Sequence, residues 1–77
     1  MIIQLSKEIY SKAAIERAIH DYSSLGHFQV TESETYYICK IFNSIYDSLL
    51  TANEFENYVI ALMNQKEFTE SGTGKVL

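Results

Sequence analysis

His20, His27 and Cys39 are the side chains whose types could ligate a soft metal or build a nucleophile with its base. A zinc site needs three or four such ligands, usually in close-spaced pairs that grip the ion from two points of the chain. Two histidines and one cysteine spread over different elements lack that spacing, and no metal or other cofactor is expected. A small enzyme or metal-binding protein using His27 or Cys39 remains the alternative reading. Cys39 lies within the apolar run "YYICKIF", where a cysteine packs as a small hydrophobe; a reactive thiol needs access and nearby positive charge. The two histidines read as semi-exposed polar residues.

The segment "SGTGK" at 71–75 has two glycines and a lysine in the manner of a phosphate-binding loop, whose free backbone N–H groups cradle phosphate. Thr69 stands where the first glycine should be, Val76 where the metal-binding hydroxyl should be, and no helix has room to follow. Nucleotide binding is not expected there. The acidic pairs Glu32 with Glu34, and Glu54 with Glu56, are explained by a solvated turn and by the positive end of a helix. No catalytic residue is expected.

The elements that would carry these residues are legible from periodicity. "IIQLS" is a short strand with Ile3 and Leu5 on one face. In "YSKAAIERAIHDYSSLG", Ala14, Ile15, Ala18, Ile19 and Tyr22 recur at helical spacing. Ser11 suits the N-cap, Tyr10 and Ile15 a hydrophobic staple, and Gly26 the left-handed close of the helix. "HFQVT" and "YYICKIF" form a hairpin joined by a four-residue turn at 32–35. "NSIYDSLL" either prolongs the strand through Ile45 and Tyr46 or covers an end of the core. "TANEFENYVIALMNQ" is the second helix: Thr51 and Glu54 have capping-box spacing, Leu50 and Phe55 form a staple, and Phe55, Tyr58, Val59, Leu62 and Met63 face inward.

The expected fold is therefore α+β: one small domain over residues 1–67, ordered β-α-β-β-α, with a flexible tail over 68–77. In a split β-α-β arrangement the three-stranded antiparallel sheet has the order 2-3-1, with both helices on one face. The central strand then has two apolar faces. Lys40 interrupts Tyr36, Ile38 and Phe42, and burying an unpaired ammonium is costly, so Tyr37, Cys39 and Ile41 should face the helices. The four-residue turn places Thr31 opposite Tyr36, Val30 opposite Tyr37 and Phe28 opposite Cys39.

Left outside are Tyr36, Ile38, Lys40 and Phe42, with His27 and Gln29 from the neighbouring strand. Aromatic and aliphatic side chains with sparse charge have interface composition, and these six are the candidate partner-binding residues. The alternative surface is a strand edge: strands one and two border the sheet, and each exposes unpaired backbone groups able to accept an added strand. Cover by "NSIYDSLL" or by the tail, and an open sheet with no role, are the competing readings of the same face. A domain of 77 residues buries only about 60% of the surface its unfolded chain exposes, which favours a homo-oligomer or a protein or peptide partner.

Net charge is −4, and the six Lys and Arg residues form no basic patch, so nucleic acid is not an expected partner. No apolar run approaches the roughly 20 residues of a membrane span, and "MIIQLSKE" lacks a basic signal-peptide start. One cysteine cannot form an intrachain disulfide. A cytoplasmic protein is expected.

The opening helix with Tyr10, Ser11, Lys12, Ala14, Ile15 and Ala18, the strand "YYICKI", and the closing segment with Phe55, Asn57 and Leu62 resemble the HxsD family, small accessory proteins of His-Xaa-Ser peptide systems. These stretches cover about two-thirds of the chain. The family's closing segment ends in a Leu-Arg-Glu type sequence where this chain has "ALMNQKE". The resemblance implies an accessory protein encoded beside radical-SAM peptide-maturation enzymes, with no catalytic residues to carry over.

Overall fold

The computed structural model describes residues 1–65. The domain boundary expected at residue 67, the tail and "SGTGK" lie outside the described residues. Five elements follow one another: β1 (Ile2–Ser6), α1 (Lys12–Asp21), β2 (His27–Glu32), β3 (Tyr36–Phe42) and α2 (Ser48–Met63). The sheet is antiparallel with order β1-β3-β2, so the strand "YYICKIF" is central, as its two apolar faces require. Cys39 and Ile41 are fully buried while Lys40 is exposed. The charge decides which face meets the helices.

One core joins Leu5 of β1 and Cys39 of β3 to Ala14, Ile15 and Ala18 of α1 and Phe55, Val59 and Leu62 of α2. Phe55 is its largest member. Its ring stacks on Phe28 at 4.9 Å and meets the edge of Tyr22 at 6.0 Å.

α1 begins as its sequence implies: Ser11 is extended and its Oγ accepts from the Ala14 N–H at 3.3 Å. It ends earlier than expected. Tyr22 caps it, four residues before Gly26, and Gly26 is not in the left-handed region. Glycine is needed there for a different reason: a Cβ on Gly26 would lie 3.0 Å from Ser44 Cα and 3.1 Å from Ser44 Cβ, where the chain leaving β3 passes the start of β2.

The hairpin is tighter than a four-residue turn. Ser33 N–H donates to Tyr36 O at 2.9 Å and Ser33 Oγ accepts from Tyr36 N–H at 3.1 Å, so the ladder closes on that pair with only Glu34 and Thr35 between them. Thr31 therefore lies opposite Ile38, Val30 opposite Cys39 and Phe28 opposite Ile41. Every pair has slid by two residues from the expected register. An even slip keeps each side chain on its face, which is why the core assignment survives it.

β3 stops at Asn43, whose φ of 53° is left-handed, a conformation asparagine tolerates better than most residues. Ile45 and Tyr46 neither extend the strand nor cover the core; they are 64% and 58% exposed. α2 then starts a turn before the expected cap. Asp47 is the N-cap, its Oδ2 accepting from Leu49 N–H at 3.1 Å and Leu50 N–H at 3.2 Å. Thr51 is thus inside the helix and buried, and Leu50 is 52% exposed instead of stapled to Phe55. Aspartate caps as well as threonine, and the accidental Thr51–Glu54 spacing concealed it.

Candidate functional site

The outward side of the sheet is built by parity from all three strands. Tyr36, Ile38, Lys40 and Phe42 of β3 alternate with the buried set, and the register places His27 beside Phe42 and Gln29 beside Lys40. All six residues anticipated from sequence share this face. β1 contributes three more that sequence reasoning passed over: Ile2 lies beside Lys40, Gln4 beside Ile38 and Ser6 beside Tyr36. The signal was present, since Ile3 and Leu5 facing inward turn Ile2 and Gln4 outward.

Charge on the face gathers at one end. Lys40 Nζ sits 5.7 Å from the centroid of the Phe42 ring, within cation–π range, and the His27 ring is tilted against Phe42 at 5.3 Å. The opposite half carries Ile38 and Tyr36 between Gln4, Ser6 and Thr31, and no charge. Ile38 and Phe42 are half-buried by their neighbours, while Tyr36 and Ile2 are exposed.

A second apolar surface comes from the early start of α2. Ile45 and Tyr46 in the preceding loop and Leu49 and Leu50 in the first turn are all exposed. The sequence hint was Asp47 just before "SLL", a cap that moves both leucines onto the first turn of the helix.

The residues with chemical potential are held apart. His27 is outward on β2 and exposed, whereas Cys39 is inward on β3 between Val30 and Ile3. Burial pushes the Cys39 thiol up to about 11, so the nucleophilic thiolate is disfavoured. His20 lies on α1 with Nδ1 3.3 Å from Asp21 Oδ1. Among the described residues, no group of three or more His, Cys, Asp and Glu side chains is placed to hold a metal ion. No helix among them is long and apolar enough to cross a membrane.

The strongest electrostatic feature is a clamp at the turn end of the sheet. Glu32 accepts from Lys7 Nζ at Oε1 and from Lys12 Nζ at Oε2, each at 2.8 Å. Those hydrogen bonds, Lys12 first, hold its carboxyl down at about 2. Lys7 also lies 5.4 Å over the Tyr37 ring. The clamp ties the end of β2 to the end of β1 and the start of α1; its ordinary role is structural.

Comparison of the chain with protein-family models, with curated proteins and with solved structures finds no match.

Proposed function

We propose that this chain is a non-catalytic interaction protein that binds a second copy of itself, or a protein or peptide, through the outer face of its sheet. The observation that carries this reading is the central strand: Tyr36, Ile38 and Phe42 stand on the side away from the core, with Lys40 drawn toward Phe42 at one end. An aromatic and aliphatic surface that carries one charge has the composition of an interface. Cys39 is fully buried and its thiol is pushed up by that burial, which disfavours its use as a nucleophile. The lone, free cysteine suits the cytoplasm.

We place it as an accessory protein of a peptide-maturation system of the HxsD type. The support is the sequence resemblance alone, carried by the opening helix, the central strand and the closing segment with Phe55, Asn57 and Leu62.

A pair of lysine substitutions tests the face. Ile38→Lys should keep the fold and weaken association, because closing the interface would desolvate an ammonium. Ile41→Lys should unfold the domain, because it puts the same charge into the core. Light scattering after size exclusion, with circular dichroism, separates the two outcomes. If Ile38→Lys alters neither folding nor association, the face is an ordinary wet sheet and the proposal falls.

A further inference from the structure

The hydrogen-bonding parity of the hairpin leaves one row of backbone groups open. Ser33 bonded to Tyr36 makes Thr31 with Ile38, Gln29 with Lys40 and His27 with Phe42 the hydrogen-bonded pairs, since such pairs alternate along an antiparallel ladder. The N–H and C=O groups of Phe28, Val30 and Glu32 therefore point away from the sheet, and no described strand pairs with them. On the other edge, Met1 with Ile41 and Lys7 with Thr35 turn Ile2 and Gln4 outward, but Ser6 O is taken by the N–H groups of Ile9 and Tyr10, which shortens that edge.

The β2 edge has a cavity beside it that reaches α1. It measures about 330 Å³ and lies between the end of α1 and the start of β2, lined by Ile19 and Ser23 on one side and by residues 26–29 and Phe42 on the other. That volume is at the low end for a ligand site and suits one large apolar side chain.

We infer that β2 accepts an extended peptide as a fourth strand, with one apolar side chain lowered between Ile19 and Phe28. The inference rests on the reading of the chain as an interaction protein and names a second surface for it. Groups spaced at every second residue match the spacing of another extended backbone, so a peptide is the occupant their chemistry selects. The residue opposite Phe28 shares its side of the sheet and faces the cavity; its two neighbours turn to the outer face beside His27 and Gln29. The recognised pattern is polar, apolar, polar.

A second copy fits this edge poorly. Two β2 strands paired antiparallel about Val30 would set the partner's Glu32 opposite Phe28, on the side of Ile19. That carboxylate is already held by Lys7 and Lys12 within its own chain.

The test uses the full chain and capped heptapeptides Thr-Gln-Thr-X-Thr-Gln-Thr, with X as Leu, Ile, Val or Phe, read by amide hydrogen exchange. At least one should slow exchange of the Phe28 and Val30 amides about tenfold or more near saturation. N-methylation at X should abolish the effect. Ser23→Trp, at an exposed position, should abolish it by filling the cavity while circular dichroism stays unchanged. Ile38→Lys should leave it intact. No slowing with any of the four peptides overturns the inference, and if Ile38→Lys still weakens association the reading of the outer face survives that failure. Protection that rises with protein concentration alone overturns it in favour of a second copy. Protection already present in the free chain, and lost on deletion of residues 66–77, overturns it in favour of the chain's own end.

Discussion

Tyr58 donates its hydroxyl to Asp21 Oδ2 at 2.5 Å, joining the middle of α2 to the end of α1. The same carboxylate accepts from Arg17 Nε at 3.1 Å and lies beside His20. With Tyr22 stacked on Tyr58 at 5.1 Å, the two helices are joined by a polar contact outside and an aromatic one beneath. The Tyr58 bond is the first cause holding the Asp21 carboxyl below its ordinary range. Tyr58→Phe should raise that pKa, as followed by carboxyl NMR titration. A group depressed on folding stabilises above its unfolded pKa and loses that contribution as pH falls, so the variant's stability should vary less with pH on the acid side. An unmoved Asp21 titration would mean that Arg17 and His20 suffice.

Glu32 gives a second acid-sensitive contact. Its carboxyl titrates at about 2 when folded against an ordinary value of 4.5, so its stabilising contribution is complete above pH 4.5 and disappears as pH falls toward 2. Glu32→Gln should flatten the melting temperature across that window. The clamp is solvent-exposed, so its loss should not unfold the domain at neutral pH, and added salt should reduce the difference between the proteins. Identical pH profiles for the two proteins would show that the clamp does not form.

Thr51 Oγ1 is the one buried side-chain polar atom among the described residues that lacks a hydrogen-bond partner. Thr51→Val keeps the shape and removes the unsatisfied hydroxyl, so it should stabilise the domain by about 1 kcal/mol in denaturant unfolding. A loss of stability would mean that the hydroxyl is satisfied in solution.

Phe55→Ala should cost about 3–5 kcal/mol, because it opens a cavity where Tyr22 and Phe28 converge. In a domain of this size that should abolish the cooperative melt. A variant melting within about 1 kcal/mol of the parent would contradict the packing.

Gly26→Ala separates two explanations of a glycine. If left-handed geometry were the need, any residue would be strained; here the need is space against Ser44, so the cost comes from a backbone that must shift. The substitution should destabilise by about 1–3 kcal/mol despite the smaller entropy of the unfolded chain. Ser44→Gly should recover part of it, since it removes the Cβ that the new methyl meets at 3.1 Å.

Local rules determined what each segment became. Ser11 and the period of Ala14, Ile15 and Ala18 specify α1, and alternation specifies the strands. A single charge, Lys40, chose the buried face of the central strand, because parity forces every second residue to share its fate and an unpaired ammonium has no place in the core. Tertiary structure decided what local patterns leave degenerate. A hairpin sliding by two residues keeps its faces, so alternation cannot distinguish Val30 opposite Tyr37 from Val30 opposite Cys39; the Ser33 turn does. Asp47 and Thr51 are both residue types that cap helices, and the choice fell to Asp47, which puts Leu49 and Leu50 on the surface. The role of Gly26 depends on Ser44, eighteen positions away, and the cavity at β2 on Ile19 of α1 lining it with Phe28. Contacts between distant positions exist only once the chain has closed, which is why no window of sequence contains them.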